Sequence, residues 1–159
     1  MTLIRTGMLT VNAAFLQDLK DDNVHLRELL ATVNDVLSHA SYRSIHAGAF
    51  AELLSGLRDQ LATHFTLEEC FGYFDDAVEV ASRFSTQADI LQAQHASLFS
   101  EICEIVDEAE CLAYGEPNAC PMSLIVERYR LFHRVLEAHE NGERELIMAA
   151  LNEDIGVGD

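Results

Sequence analysis

The sequence predicts an all-α fold: an antiparallel, up-down-up-down four-helix bundle formed as a single domain by residues 1–159. Apolar residues recur at alternating steps of three and four along four long segments, which is the spacing of helices that bury one face. Only short connections separate these segments, so consecutive helices are expected to run in opposite directions. With 159 residues, 49% of them hydrophobic, the chain is long enough to bury one core.

Each predicted helix is defined by its apolar stripe and by the turn signals beside it. The helices are expected to cover, in chain order, residues 12–39, 45–73, 86–112 and 122–151. The turns between them fall near residues 38–44, 75–86 and 113–121. Gly115, Pro117 and Pro121 mark the last turn, because glycine and proline interrupt helices. The helical core is therefore expected from about residue 12 to residue 152.

The charge balance argues against several classes of partner. Ten basic residues stand against 27 acidic ones, which gives a formal net charge of −17. Such a chain repels phosphate backbones and anionic lipids, so we expect neither a nucleic acid nor a membrane as its partner. No segment approaches the roughly 20 apolar residues of a membrane span. The N-terminus lacks the apolar stretch of a secretory signal, and we expect a cytoplasmic protein.

The cysteines are expected to be reduced. Cys70, Cys103, Cys111 and Cys120 show neither CxxC spacing nor a paired framework, which favours free and mostly buried thiols. The alternative is that Cys111 and Cys120, on either side of the last turn, respond to oxidants.

The most informative feature is a His-x-x-x-Glu motif that occurs twice. His64 and Glu68 form it in the second predicted helix, and His139 and Glu143 form it in the fourth. Residues four apart in a helix project from nearly the same face. In both motifs that face is the apolar stripe, where leucines would be expected. Buried charges are costly unless they are paired or bound to metal, so the motifs predict a polar site inside the core.

Two single histidines extend this site to the other two helices. His25 lies in the stripe of the first helix and His95 in that of the third. Counting residues from each turn, at about 1.5 Å of rise per residue, places the polar side chains within roughly two helical turns of one height. The predicted layer therefore receives a contribution from every helix: His25, His64, Glu68, His95, His139 and Glu143.

The donors in this layer indicate a dinuclear metal site. Imidazole and carboxylate together suit iron, manganese or zinc. Six ligands are too many for one tetrahedral zinc, whereas they suit two metals bridged by carboxylates in the core of a bundle. Glu68 and Glu143 would then bridge the metals, and the histidines would cap them. Coordination positions would stay open for dioxygen, peroxide or nitric oxide.

Other interpretations of these polar residues stay open at the level of sequence. A single buried histidine can be a core residue satisfied by one hydrogen bond, and a glutamate can pair along a solvated helix face. Surface positions are expected for Glu69, Glu140, Glu145, His39, His46 and His133. Gly142, inside the fourth helix, either leaves room beside the metals or allows a close contact between helices.

The order of the histidines and glutamates resembles the hemerythrin-like HHE cation-binding family. The stretches HFTLEE at 64–69 and HENGERELI at 139–147 are similar to the family's second-helix and fourth-helix signatures, and the likeness extends from about residue 12 to residue 155. It implies a non-heme di-iron site with two iron ions bridged by carboxylates and an oxo or hydroxo group, with zinc or manganese as substitutes. Carried over by motif, the ligands are His25, His64, Glu68, His95, His139 and Glu143.

Two positions depart from the oxygen-carrying hemerythrins. Those proteins have a second histidine four residues after the third-helix histidine, where this chain has Phe99. They also have an aspartate five residues after the fourth-helix histidine, where this chain has Arg144. Fewer nitrogen donors should alter the redox potential, which argues against reversible oxygen carriage. The chain is therefore expected to bind or sense dioxygen or a related small molecule, or to register iron or redox state.

The rival hypothesis is a di-iron enzyme acting on peroxide, nitric oxide or ferrous iron. Such an enzyme often needs a proton donor near its site, for which Tyr73 and Tyr129 are the candidates. A third hypothesis is a structural site for zinc or manganese. A sensor would act through a protein partner, because no output domain is predicted within these residues.

Overall fold

The residues that the structure describes form four long α-helices and no strand. This computed structural model describes residues 2–39, 41–70 and 82–156, with side chains for 21–39, 41–69 and 82–153. The helices are α1 (Thr2–His39), α2 (Ala47–Cys70), α3 (Ser85–Ala113) and α4 (Met122–Gly156), and a short 3-10 helix, Ser82–Phe84, precedes α3. The predicted all-α class is confirmed. None of the described helices is long and apolar enough to cross a membrane.

The observed helix bounds agree with the sequence pattern at most ends. The largest difference is at α1, which begins at Thr2 rather than near Asn12. The last helix, α4, continues to Gly156, beyond the predicted end at Leu151. The predicted end of the second helix at Tyr73, and the part of the following turn from residue 75 to residue 81, lie outside the described residues.

Local sequence explains where α2 and α4 begin and where α3 ends. The Nδ1 atom of His46 accepts a hydrogen bond from the backbone N–H of Ala49 at 3.1 Å, so this side chain caps the first turn of α2. Pro121 precedes α4, and its carbonyl oxygen accepts a hydrogen bond from the N–H of Leu124 at 3.0 Å. After α3, Gly115 has a φ of 67°, a left-handed conformation that glycine adopts without strain.

A polar layer divides the apolar core into two parts. The larger apolar cluster includes Leu61 of α2, Leu98 of α3 and Leu136 of α4. The smaller cluster packs α3 against α4 and consists of Ala88, Leu91, Leu146 and Ala150. Burial of these apolar side chains supplies the favourable free energy that offsets the cost of enclosing polar groups between them.

A close contact between α3 and α4 lies beside the polar layer. A Cβ atom on Gly142 would lie only 3.0 Å from Cδ2 of Leu91, and Leu91 is itself buried in the smaller cluster. The missing side chain at Gly142 therefore allows α4 to approach α3 closely, which is the second of the two roles expected from the sequence.

A charged network ties α3 to α4 away from the polar layer. Arg128 donates hydrogen bonds to Glu101 at 2.8 Å and to Glu108 at 2.7 Å, and it also contacts Glu104. The hydrogen bond to Glu101 is the main cause that raises the pKa of the Arg128 guanidinium above its usual value. The arginine is therefore a permanent positive charge that holds three glutamates of α3 next to α4.

The helices pack in chain order, and one side of the assembly is more open than the others. Extensive contacts join α1 to α2, α2 to α3 and α3 to α4. Among the described residues, no comparably extensive contact joins α1 to α4. A cleft of about 320 Å³ opens there, lined by residues of α1 and α4 together with Glu68 of α2.

Candidate metal centre

The polar layer contains five side chains that are almost fully buried. They come from α2, α3 and α4 and are His64, Glu68, His95, His139 and Glu143. None of them is more than 3% exposed. The structure therefore brings together five of the predicted ligands at one place in the core.

Glu68 lies between two histidines and directs a different oxygen to each. Its Oε1 atom lies 2.8 Å from Nε2 of His64, and its Oε2 atom lies 3.2 Å from Nε2 of His95. His64 and Glu68 are four residues apart on α2, which places them on one face, whereas His95 reaches across from α3. Each carboxylate oxygen of Glu68 therefore contacts a different imidazole.

Glu143 holds the corresponding position on α4. Its Oε1 atom lies 2.9 Å from Nε2 of His139, four residues earlier, and 3.3 Å from Nε2 of His95. Beside it, Oε1 of Glu140 lies 3.0 Å from Nε2 of His64. The Nε2 atoms of the three buried histidines therefore all face carboxylates.

These side chains form two overlapping groups that could each hold a metal ion. The first group is Glu68, His95, His139 and Glu143, and the second is His64, Glu68, Glu140 and Glu143. Within each group, one donor atom from every residue lies within 4.8 Å of all the others. Glu68 and Glu143 belong to both groups, so the two candidate positions are adjacent.

Each buried histidine is also held at its other ring nitrogen. The Nδ1 partners are Asp22 for His64 (2.5 Å), Glu69 for His95 (3.1 Å) and Gln94 for His139 (2.9 Å). An oxygen acceptor at Nδ1 keeps a proton there and leaves Nε2 as the atom that can bind a metal. Phe65 stacks on His95, with ring centroids 4.3 Å apart. The imidazoles are therefore fixed in orientation by their surroundings.

Two buried atoms of the layer lack a hydrogen-bond partner. They are Oε2 of Glu68 and Nε2 of His139, which lie 3.2 Å from His95 and 2.9 Å from Glu143 but at angles that form no hydrogen bond. Buried polar atoms are nearly always satisfied, and leaving one unsatisfied costs about 1–3 kcal/mol. Both atoms carry an electron pair that a metal ion would accept, and both belong to the first donor group. The residues present therefore fit a metal ion.

The electrostatics of the layer favour positive charge within it. Burial opposes a charge on His64, but its hydrogen bonds, first of all that to Asp22, outweigh burial and raise its pKa to about 12. The same balance, with Glu143 as the leading partner, raises the pKa of His95 to about 10. Burial also opposes a charge on Glu68, yet hydrogen bonds from both histidines lower its pKa to about 2. Burial raises the pKa of Glu143.

The remaining predicted ligand, His25, is not brought to this layer. Its side chain is 60% exposed and lies 3.9 Å from Glu28. Helix α1 is rotated so that Asp22, Leu26 and Val33 face the core. At 100° per residue, His25 points about 80° away from the mean direction of these three residues. Apolar residues cover a wide arc of this helix, so its sequence is compatible both with the observed rotation and with one that would bury His25. Asp22 supplies the contribution of α1 instead, through its hydrogen bond to His64.

Sequence reasoning missed four residues of the site: Asp22, Glu69, Gln94 and Glu140. Glu69 and Glu140 are assigned by their spacing to a solvated face, and Gln94 carries no signal of its own. In the structure, the side chain of Glu140 is 25% exposed and contacts His64, so the surface assignment is corrected for this residue. At 100° per residue, Glu140 lies about 60° round the helix from Glu143 and Glu145 about 160°, so the signal that could have separated them is the position of Glu140 at the edge of the buried face.

The histidines expected at the surface divide into two kinds. His39 and His46 are exposed, as predicted. His133 is not: its side chain is 18% exposed, and it lines the cleft between α1 and α4. Its partial burial follows from its place on the face of α4 that looks toward α1.

The described cysteines carry no disulfide. Cys103, Cys111 and Cys120 are free and half-buried, and the side chain of Cys70 lies outside the described residues. A hydrogen bond to Glu116 raises the pKa of the Cys111 thiol, and burial, followed by the charge of Glu108, raises that of Cys120. Raised thiol pKa values disfavour the reactive thiolate, which weakens the alternative of an oxidant-responsive pair.

The cleft between α1 and α4 reaches the polar layer. Glu68 and Glu143 lie at its inner end, and Glu140 and Leu136 line its wall. Apolar clusters close the layer along the helices, whereas this side is open to solvent. Small molecules and ions therefore have a path to the buried carboxylates.

No family model, curated protein or solved structure matches this chain. The class of protein is defined by the fold and the site: an all-helical protein whose buried histidines and glutamates could hold metal ions.

Proposed function

We propose that the chain is a hemerythrin-like, non-heme di-iron protein that binds or senses dioxygen or a related small molecule, or registers iron and redox state. The observation that carries this proposal is the pair of donor groups that share Glu68 and Glu143. Two carboxylates common to two groups suit a carboxylate-bridged pair of metal ions. The mixture of imidazole and carboxylate suits iron, with manganese or zinc as substitutes. A sensing role would also involve a protein partner.

An up-down-up-down order of the helices belongs to the same proposal. Arg128, early in α4, contacts Glu104 of α3, whereas His139, later in α4, contacts Gln94, which comes before Glu104 in α3. This order of contacts supports opposite directions for α3 and α4. Residues 40–46, between α1 and α2, span at most about 25 Å when extended. If α1 and α2 were parallel, this connection would have to run back along the whole of α2, which is roughly 36 Å long. The connection is too short for that path, which supports opposite directions for α1 and α2.

Each residue of the site has a role in this proposal. One iron ion would be bound by His95 and His139, the other by His64 and Glu140, and both by Glu68 and Glu143. Asp22, Glu69 and Gln94 orient the imidazoles through their Nδ1 atoms. The metal ions would supply open coordination positions and a change of oxidation state. The apolar clusters on either side exclude bulk water from the ligands.

Elemental analysis followed by anaerobic reduction and exposure to air tests the proposal. Protein expressed in iron-replete medium should contain iron, be colourless when reduced, and develop a visible charge-transfer band in air that reduction reverses. The Glu68→Gln variant should lose iron, and the matched Glu145→Gln variant, which changes an exposed glutamate of α4, should retain it. Protein that contains no iron and shows no band would contradict the proposal.

The cleft favours a second candidate function, a di-iron enzyme acting on peroxide, nitric oxide or ferrous iron. It gives such substrates a path to Glu68 and Glu143. Tyr129 is a weak candidate for the proton donor, because burial raises the pKa of its hydroxyl; Tyr73 lies outside the described residues. Bleaching of the band with repeated turnover of peroxide would favour the enzyme, and a reversible band without turnover would favour binding or sensing.

A further inference from the structure

One face of α4 lines the cleft with side chains that commonly bind metals. His133, Glu137 and Glu140 are four and then three residues apart, so they share this face, and all three line the cleft. His133 and Glu137 form a further His-x-x-x-Glu pair, with Nε2 and Oε1 3.9 Å apart. At 1.5 Å of rise per residue, the row extends for about 10 Å along α4.

The row connects solvent to the buried layer. The side chain of Glu137 is 62% exposed, whereas that of Glu140 is 25% exposed and contacts Nε2 of His64. Tyr129 stacks on His133, with ring centroids 6.0 Å apart and an interplanar angle of 22°. The imidazole is therefore supported at the wall of the cleft and does not belong to the buried donor groups.

The inner end of the cleft offers an unsatisfied acceptor. Glu68 lines the cleft and is 2% exposed, and its Oε2 atom faces Nε2 of His95 at 3.2 Å without a well-formed hydrogen bond. A buried carboxylate oxygen without a well-formed hydrogen bond, at the inner end of an open cleft, favours a cation as the species that enters the cleft.

The charges around the cleft also favour a cation. Four carboxylates line it against two guanidinium groups: Glu68, Glu137, Glu140 and Glu143 against Arg27 and Arg144. Arg144 donates a hydrogen bond to Oδ1 of Asn141 at 2.6 Å, which holds its guanidinium on its own helix. A cleft lined mainly by one sign of charge raises the local concentration of the opposite ion.

We propose that His133 and Glu137 form a transit site through which divalent metal ions pass from solvent to the buried layer, with Glu140 as the next ligand. This inference rests on the proposed metal-binding function and adds a route of uptake to it. Imidazole and carboxylate at the wall of the cleft replace part of the ion's water before it reaches Glu140. Because the pair lies outside the buried donor groups, it governs the rate of metal uptake and not the final amount bound.

The rate of Co²⁺ binding to the metal-free protein tests this route, since the visible absorption of Co²⁺ reports its coordination. The His133→Ala/Glu137→Ala variant removes the pair. The matched Asp35→Ala/His39→Ala variant removes an exposed pair on α1 with the same spacing and charge, 3.2 Å apart. We expect the first variant to bind Co²⁺ about tenfold more slowly than the wild type, with unchanged final stoichiometry and Kd. The control variant should bind at the wild-type rate.

The outcomes separate this inference from the proposed function. Equal rates in all three proteins, with normal stoichiometry, would overturn the transit site and leave the metal-binding function intact. A lower final stoichiometry in the His133→Ala/Glu137→Ala variant would also overturn it, because the pair would then be ligands of the stored ions. Failure of the wild type to bind Co²⁺ would contradict the metal-binding function itself. If alanine disturbs folding, the His133→Gln/Glu137→Gln variant gives the same test.

Discussion

Asp22 shows how single residues outside the donor groups support the site. It is 7% exposed, accepts a hydrogen bond from Nδ1 of His64 at 2.5 Å, and accepts another from Nε2 of Gln60 at 2.6 Å. A carboxylate held in this way fixes the imidazole and makes its other nitrogen a stronger metal ligand. Helix α1 therefore acts on the site through a positioning residue.

Replacing Asp22 by asparagine should weaken metal binding without removing a ligand. Loss of the carboxylate behind His64 is expected to lower the affinity for metal about 10- to 100-fold, with the stoichiometry unchanged at saturating metal. Competition with a chelator of known affinity measures the change. Asp35→Asn, at an exposed position on the same helix, is the control, and equal affinities for the two variants would contradict the role of Asp22.

The ligand set can be tested by two substitutions with opposite expected outcomes. Glu140→Gln removes a member of the second donor group and should lower the metal content per chain. His25→Ala changes an exposed side chain and should leave the metal content unchanged. Elemental analysis of both purified variants gives the answer. The reverse result would restore the ligand set implied by the resemblance to the HHE family.

At the scale of helices, the packing of α3 against α4 beside the site depends on a glycine. Gly142→Ala would place a Cβ atom 3.0 Å from buried Leu91, whereas a Cβ on Gly56 in α2 would meet nothing within 4 Å. Alanine is favoured over glycine in a helix by about 1 kcal/mol, but overpacking costs about 1–3 kcal/mol. Gly56→Ala should raise the free energy of unfolding in urea, and Gly142→Ala should lower it. Equal stabilisation by both would show that Leu91 moves away freely.

The helices and most of the buried ligands could be predicted from the sequence because both follow from one periodicity. His64, His95 and His139 lie in narrow stripes between leucines, which leaves little choice of rotation. Helix α1 has apolar residues on a wider arc, so its sequence does not decide between His25 and Leu26 as the buried position. Helical spacing places Glu140 at the edge of the buried face, but whether Glu140 and Gln94 reach the buried histidines depends on the spacing between neighbouring helices, which no local pattern specifies.

For the whole molecule, metal binding should depend on pH in a defined direction. The raised pKa values of His64 and His95, about 12 and about 10, mean that both rings are protonated in the metal-free protein at neutral pH. Each must lose its Nε2 proton to bind a metal ion, so raising the pH strengthens binding, by up to about tenfold per pH unit for each proton released. Calorimetry in buffers with different heats of ionisation counts the protons. Binding that releases none would contradict this description of the site.

Anaerobic titration of the metal-free protein with Fe²⁺, followed by removal of unbound metal and measurement of iron per chain, tests the central claim most directly. Two donor groups that share Glu68 and Glu143 predict that binding saturates at two iron ions per chain. The Glu68→Gln variant is expected to fall well below that value, since it loses a ligand common to both positions. Saturation of the wild type at one iron ion, or no retained iron, would contradict a dinuclear site in the core of these four helices.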